Sequence, residues 1–552
     1  MSTLDWIIVL VLNSGVIVLG VWLARGTRSS RQWFLGGRSL PWWAVGLSMF
    51  ATNLDNGDLV SISGKTFREG LHILSVHTIG GVIAGILVAF WIVPVLYRAR
   101  LYTNAEYLEA RFGPSTRVIS ALIQIQYRSS MLGLIVWTLF VVLTTLCGLG
   151  DQAAWVVVVS LAVLAGLYTA WGGLRSVVFT DAAQAVIMFA GAAVIFFCVL
   201  DAAGGWSGME ERLHELDEVD VESGMRTGDL SRISTYHGKS GKDPALVILL
   251  GWIVVAGGYW TVNHTQTMRL LGSRSLWDAQ IAALFGTALS IPIMIACGAL
   301  GLFGRALFPD FDPPDHMYPH LASVYLGAGW RGLVVAGLLA AAVSTFDSMG
   351  SALSAVFTRD VYARILVRHR DDAHYVRVSR IATVAILALG FAYLPFVMSK
   401  DTMLEAFLTL IPVFVTPLFT IYLAGIFTRA HRRSGLVGLI VGGGYGLVAL
   451  LGREQVAFES LPDWLTGNWP AYLWSVAITA AAIAVTTCLR GRDDGRLVLR
   501  GDDDGWLARS RDDSIPAREH PFAGDIPKLL RPQIFAVALL LVAAYLVFAV
   551  LW

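Results

Sequence analysis

Four aspartates and one arginine lie where charge is expensive. Asp55, Asp58, Asp181, Asp347 and Arg128 sit inside long apolar blocks, and Glu405 lies near the end of another. A charged side chain at mid-bilayer costs roughly 3 kcal/mol or more on insertion scales, so such groups mark ion or solute paths and normally have partners. If all six were ionised, five negative charges would face one positive charge. A dry site cannot hold that surplus without a proton, Na⁺ or a cationic ligand. One block adds neutral oxygens: Ser344, Asp347, Ser348 and Ser351 follow the three-and-four spacing of one helical stripe, with Thr345 beside them. Hydroxyls and carboxylates are the oxygen ligands a hard cation takes. Small hydroxyl residues also let membrane helices pack closely, so the stripe fits either role.

These groups need elements that hold them at depth. The chain has 552 residues, 56% hydrophobic and 15% charged, with a mean hydropathy of +0.64, whereas a soluble domain is about a quarter charged. Its apolar residues fall in fourteen blocks, at 4–24, 41–62, 76–97, 116–146, 152–172, 177–200, 244–268, 277–306, 329–357, 376–398, 402–427, 434–452, 469–490 and 532–552. A helix of roughly 20 residues crosses a hydrocarbon core of about 30 Å. The sequence therefore predicts an all-α polytopic membrane protein and excludes a soluble enzyme, a nucleic-acid binder and a disordered scaffold. The long connections, 201–243 and 491–531, are too short for a further domain with its own core. Residues 1–552 thus read as a single transmembrane domain. No HExxH, partnered GxSxG or P-loop is present, and the four cysteines form no CxxC pair, so neither an enzyme nor a cofactor is expected.

Lysines and arginines set the orientation. With the N-terminus outside, the loops 25–40, 98–117, 173–176, 269–276, 358–380, 428–434 and 490–531 face the cytoplasm and hold 29 of the 41 Lys and Arg residues. Both termini are therefore expected on the outer side of a plasma or inner membrane. The acidic runs at 371–372, 493–494 and 502–504 lie among these arginines and read as solvated surface.

Two blocks are poor continuous helices. Ala51-Thr52-Asn53-Leu54-Asp55-Asn56-Gly57-Asp58 interrupts the second, and Gly257-Gly258-Tyr259-Trp260-Thr261-Val262-Asn263 the seventh. Gly and Asn weaken helices, and unwound backbone at membrane depth is tolerated only where it is buried or lines a wet cavity. The interruptions lie five blocks apart. Two inverted five-helix repeats, each opening on a broken helix, would give that pattern and point to the binding site of a secondary transporter.

Four stretches together resemble the sodium–solute symporter family of sodium–sugar, sodium–proline and sodium–sialic acid carriers. They are Gly36-Gly37-Arg38-Ser39-Leu40-Pro41-Trp42-Trp43, Glu106-Tyr107-Leu108-Glu109-Ala110-Arg111-Phe112-Gly113, Gly172-Gly173-Leu174-Arg175-Ser176-Val177-Val178-Phe179-Thr180-Asp181, and the Ser344-Thr345 stripe running on to Thr358-Arg359-Asp360-Val361-Tyr362. The resemblance covers about residues 5–450. It implies a LeuT-type 5+5 inverted-repeat bundle with about 14 transmembrane helices. An extra N-terminal helix (4–24) precedes the first repeat (41–200) and the second (244–427), and accessory C-terminal helices (434–552) follow.

The resemblance also implies roles for particular residues. One Na⁺ would be held by the carbonyls of Ala51, Leu54 and Ala341 and the hydroxyls of Ser344 and Thr345. A second cation site, present in some members, would use Asp181, Ser344, Asp347 and Ser348; Asp347 departs there from the small residue common in the family. The solute would meet Asn53, Asp55, Asp58, His77, Arg128, Tyr259, Asn263 and Thr409. Sugar carriers place an amide, an acid and a lysine where this chain has Asp58, His77 and Ala288, so the solute stays open between a sugar, a carboxylate and an amino acid-like molecule. His264 follows Asn263 where a tyrosine is usual, either as a pH-sensitive gate or as a packed histidine. The expected activity is Na⁺-coupled symport of a small polar solute by alternating access. Proton coupling through Asp181 and Asp347, and a non-transporting sensor on the same scaffold, are the alternatives. Na⁺, the solute and the bilayer are the expected partners; nothing in the sequence calls for nucleic acid or an obligate protein partner.

Overall fold

A computed structural model describes residues 1–25, 29–216, 226–231, 245–399, 408, 410–454, 456–458, 461–495, 497, 505–507 and 517–550. Glu405, Thr409 and the acidic run 502–504 lie outside the described residues. The described residues form helices joined by short turns, with a lone parallel bridge between Leu40 and Ser273 and no strand.

The helices that position the site are α1 (Thr3–Ala24), α2 (Trp42–Asn53), α3 (Asn56–Glu69), α4 (His72–Leu87), α5 (Asn104–Phe112), α6 (Pro114–Thr145), α7 (Asp151–Ala202), α8 (Ala245–Val262), α9 (His264–Leu271), α10 (Leu276–Leu307), α11 (Trp330–Val356) and α12 (Asp372–Phe391). They are followed by α13 (Ile411–Phe427), α14 (Ser434–Arg453), α15 (Asn468–Arg490) and α16 (Pro532–Tyr545). Among the described residues ten helices are long and apolar enough to cross a membrane, and the bent pair α8–α9 makes an eleventh. The expected count of about fourteen is not fixed by length and composition, for three reasons. Blocks 152–172 and 177–200 run together as α7, the second block is split into α2 and α3, and α13 has only 17 residues.

The 52 residues of α7 would reach about 78 Å if straight, more than two hydrocarbon thicknesses. The helix breaks at Gly173 (φ 64°, ψ −170°). A Cβ there would lie 2.8 Å from the Trp33 carbonyl oxygen, so both the left-handed backbone and the close approach require glycine. Around this helix α11 packs along α7, while α10 packs against α2 and α3 and α8 against α4.

Both expected interruptions are present. Between α2 and α3, Leu54 (φ −113°, ψ 93°) and Asp55 (φ −86°, ψ 178°) leave the helical region. Between α8 and α9, Asn263 (φ −72°, ψ 107°) does the same, and the two rods meet at 56°.

Three arginines of the basic segments, Arg117, Arg359 and Arg364, are buried rather than solvated. Arg117 bonds Asp360 (2.6 Å), Glu109 (2.7 Å) and Glu106 (3.1 Å), while Arg359 reaches Glu106 (2.9 Å) and Arg364 reaches Glu109 (2.8 Å). The reading of 371–372 as plain solvated surface is corrected for Asp372 alone, since Asp371 is exposed. Asp371 caps α12, and Asp372 accepts the Ser30 amide (2.7 Å) and the Trp506 indole (2.9 Å). Trp506 stacks on Tyr375 at 3.9 Å and is 4% exposed. Trp506 and Leu507 of the 491–531 connection are thus buried, which its charge pattern did not announce.

Candidate functional site

The first break redirects two main-chain amides to side chains. In a continuous helix the amides of residues 55 and 58 would bond the carbonyls of Ala51 and Leu54. Here the Asp55 amide goes to Asp58 Oδ2 (3.3 Å) and the Asp58 amide to Asp55 Oδ1 (3.1 Å). This reciprocal capping box starts α3 and leaves the Ala51 and Leu54 carbonyls without those main-chain donors. The adjacent Thr52 carbonyl accepts the Tyr259 hydroxyl (2.9 Å), so the two interrupted helices are joined at their breaks.

Helix α11 brings hydroxyls to the same region. Ser344 donates to Asp181 Oδ1 (2.7 Å), and Thr345 donates to the Ala341 carbonyl (3.0 Å). Each hydroxyl has committed its proton and keeps oxygen lone pairs for a further partner. Ser48 on α2 donates to Asp181 Oδ2 (2.6 Å), and Thr52 meets Ser348 at 3.0 Å. The face of α2 that carries Ala51 therefore abuts the stripe of α11 that carries Ser344 and Ser348.

The expected second cation position contains a guanidinium. Arg269, 1% exposed, bonds Asp181 (2.7 Å), Ser48 (2.5 Å) and Thr52 (2.9 Å), and also contacts Ser348 and the Thr265 carbonyl. The charge count places Arg269 in the loop 269–276; it is instead in the last turn of α9 and buried. Asp347 is not part of this cluster. It accepts Thr169 Oγ1 (2.8 Å) and the Tyr168 hydroxyl on the other arm of α7. Grouping it with Asp181, Ser344 and Ser348 is therefore corrected: the helical stripe is shared, but the partners lie on opposite sides of Gly173.

The second centre is a cavity of ≈ 120 Å³ lined by Asn53, Leu54, Asp55, Asp58, Arg128 and Tyr259 on its polar side. Asn53 donates to Ser290 (3.2 Å). Arg128, 2% exposed, lies over the rings of Tyr259 (5.2 Å) and Tyr127 (5.8 Å). Its Nε is buried with no hydrogen-bond partner, and among the described residues it forms no ion pair. Neither Asp55 nor Asp58 closes on Arg128 in an ion pair among the described residues, which leaves a gap between opposite charges. Asn263 is not at the cavity: its Oδ1 caps α9, accepting the amide (3.1 Å) and hydroxyl (2.7 Å) of Thr265. His264 is buried and meets Thr267 at 3.2 Å. His77 lies on α4, and the neighbouring Thr78 lines the cavity. Sequence reasoning missed Arg269, Ser48, Thr52, Tyr168 and Thr169; of these, only Ser48 and Thr52 carried a signal, as hydroxyls one turn apart before the break.

Two interrupted helices crossing beside a cavity, with freed carbonyls and a buried hydroxyl stripe, define an ion-coupled secondary transporter. A model of the sodium:solute symporter family matches residues 33–442. A sodium/glucose cotransporter 4 from Danio rerio is 29% identical over 488 residues, covering 81% of this chain and 71% of the relative. A sodium/glucose cotransporter from Vibrio parahaemolyticus is 26% identical over 471 residues, covering 80% and 84%. The fold is that of a Na⁺-coupled sialic acid symporter solved in a substrate-bound outward-open state, with a TM-score of 0.74 at 20% identity over 89% of this chain and 99% of the other. The chain belongs to the sodium:solute symporter family, with the LeuT-type architecture. It is a Na⁺-coupled membrane symporter and not an enzyme.

Proposed function

We propose that one Na⁺ binds between the carbonyls of Ala51, Leu54 and Ala341 and the hydroxyls of Ser344 and Thr345. The observation that carries this is the Asp55–Asp58 capping box, which withdraws the two amides that would otherwise occupy the Ala51 and Leu54 carbonyls. Na⁺ there ties α2–α3 to α11 and completes the neighbouring cavity, which Leu54 also lines. The solute is a small polar organic molecule bound in that cavity, and rocking of the helices about it exposes the site alternately to each side. The broken helices open the repeats 41–200 and 244–427, flanked by 4–24 and 434–552. Both termini face the outside of the cell membrane, a placement that the bias of Lys and Arg supports.

Because Arg269 already compensates Asp181, the second cation position is filled by a tethered charge and one Na⁺ is carried per cycle. That is sufficient. At about 100 mV, inside negative, one Na⁺ gains roughly 2.3 kcal/mol from the field, and a tenfold gradient adds about 1.4 kcal/mol. Together they support several-hundred-fold accumulation of a neutral solute. Replacing Ser344 with alanine should raise the Na⁺ concentration for half-maximal uptake in proteoliposomes; unchanged Na⁺ activation would remove this assignment.

One observation favours a proton as co-ion. Asp347 is fully buried and meets two hydroxyls but no cation among the described residues. Uptake with Na⁺ replaced by choline across a pH series separates the readings: Na⁺ coupling predicts no accumulation at any pH, proton coupling predicts accumulation that grows as the outside is acidified.

A further inference from the structure

We infer that the transported solute is an amino acid-like zwitterion with an apolar body, its carboxylate on Arg128 and its ammonium on Asp55 and Asp58. This deepens the proposed function and rests on the same cavity. Each aspartate uses one oxygen in the capping box, Asp55 Oδ1 and Asp58 Oδ2. Asp55 Oδ2 and Asp58 Oδ1 lie outside that box, the Gly57 amide is a further donor to Asp55, and both side chains line the cavity and are partly accessible. Arg128 faces the same space with a buried, unpartnered Nε. Opposite charges that share a cavity without closing on each other are completed by a ligand carrying both signs.

Three further observations narrow the class. A free helix N-terminus at a transporter break favours an anionic group, but here the N-terminus of α3 is already capped by two carboxylates, so the break presents negative charge to the solute. A lone carboxylate would meet Asp55 and Asp58, and a lone amine would meet Arg128. Three of the neutral polar groups have spent a donor elsewhere, and the two hydroxyls among them offer acceptors only: Ser290 donates to the Gly286 carbonyl (3.0 Å), Thr287 to the Ala283 carbonyl (2.9 Å), and Asn53 to Ser290. Much of the remaining wall is apolar, including Met131, Leu134, Trp252, Trp260, Ile291 and Met294. A hexose or cyclitol would strand hydroxyls against that wall, whereas an aliphatic or aromatic side chain fits it.

The test titrates the full-length protein in detergent with L-leucine, L-methionine, L-phenylalanine and L-proline, reading thermal shift in Na⁺ and in choline buffer. The tightest binder is then compared with its deaminated acid, its decarboxylated amine, D-glucose and myo-inositol. The expected result is that removing either charged group weakens binding roughly 30-fold or more, with the sugar and the cyclitol weaker still. In Arg128→Gln the preference over the amine should collapse, and in Asp58→Asn the preference over the deaminated acid. If no amino acid binds, or if D-glucose, myo-inositol or the deaminated acid binds within threefold of the best amino acid, the inference is overturned. Should either variant fail to fold, the analogue series on the unmodified protein still decides. Amino acid binding that is equal in choline would leave this inference standing and remove the Na⁺ assignment; Na⁺-dependent binding of glucose alone would do the reverse.

Discussion

The molecule holds two aspartate–arginine centres, and they are built oppositely. Around Asp181 and Arg269 the charges touch at 2.7 Å, and Ser48, Thr52, Ser344 and Ser348 bond one or both of them. Around Asp55, Asp58 and Arg128 the charges share a cavity, make no ion pair among the described residues, and leave Arg128 Nε unbonded. A satisfied buried network fixes one arrangement, while an unsatisfied one awaits a partner. The first centre therefore joins α2, α7, α9 and α11, and the second is the place we propose for the solute.

Breaking the closed centre should produce the largest effect. Asp181→Asn leaves Arg269 charged and buried, which costs roughly 3–5 kcal/mol, read as a fall in melting temperature of the detergent-purified protein. The double variant Asp181→Asn with Arg269→Gln should recover part of that loss, because no charge is stranded. Arg128→Gln should do the opposite: stability changes by less than about 1 kcal/mol, since no carboxylate loses its ion-pair partner, while solute uptake falls roughly 30-fold or more. Equal destabilisation by Asp181→Asn and Arg128→Gln would erase the distinction between the centres.

The proposed Na⁺ site should respond at an intermediate level. Ser344→Ala removes a ligand and also one hydrogen bond to Asp181. We expect the half-maximal Na⁺ concentration for uptake to rise about tenfold, equivalent to about 1.4 kcal/mol, with the affinity at saturating Na⁺ little changed. Thr345→Ala tests the same site without touching Asp181, because Thr345 bonds the Ala341 carbonyl instead. A rise with both variants assigns the effect to Na⁺, whereas a rise with Ser344→Ala alone assigns it to the Asp181 network.

Much of this comparison was legible in the sequence. Gly, Asn and Asp in the middle of apolar blocks marked both breaks, and the charge cost at depth singled out Asp55, Asp58, Asp181, Asp347 and Arg128. Arg269 was not legible. Counting about 20 residues from 244 places it beyond the membrane, but the chain bends by 56° at Asn263 and starts a new rod, so residue counting no longer measures depth. Asp347 shares the stripe of Ser344 and Ser348 by helical spacing, yet the facing helix α7 breaks at Gly173 and offers Tyr168 and Thr169 on one arm and Asp181 on the other. A periodicity describes one helix and is silent about what the opposite helix presents. The family resemblance implies Asn263 as a solute residue, but an asparagine at a helix start is equally a cap, and that is its use.

The smallest expected effect comes from an acid–base pair placed in water, a control on both buried centres. Arg98 makes a two-pronged bond to Glu519, 2.9 and 2.8 Å, with both side chains about half exposed (58% and 49%). The Arg98 hydrogen bond holds the Glu519 carboxyl below its ordinary 4.5. A lowered carboxylate value means that the contribution is complete above the ordinary range and is lost as pH falls through the lowered one. Exposure and screening limit it to at most about 0.5 kcal/mol, too little to move the melting temperature measurably. The local reporter is the backbone beside it, where the amides of Leu276 and Trp277 bond the carbonyls of Arg518 and Glu519 (2.8 and 2.9 Å). Glu519→Gln should speed hydrogen exchange of those two amides slightly at neutral pH and not at all once the pH is low enough to protonate the native carboxyl. A Glu519→Gln effect on global stability as large as that of Asp181→Asn would mean that burial is not what separates the strong centre from the weak one.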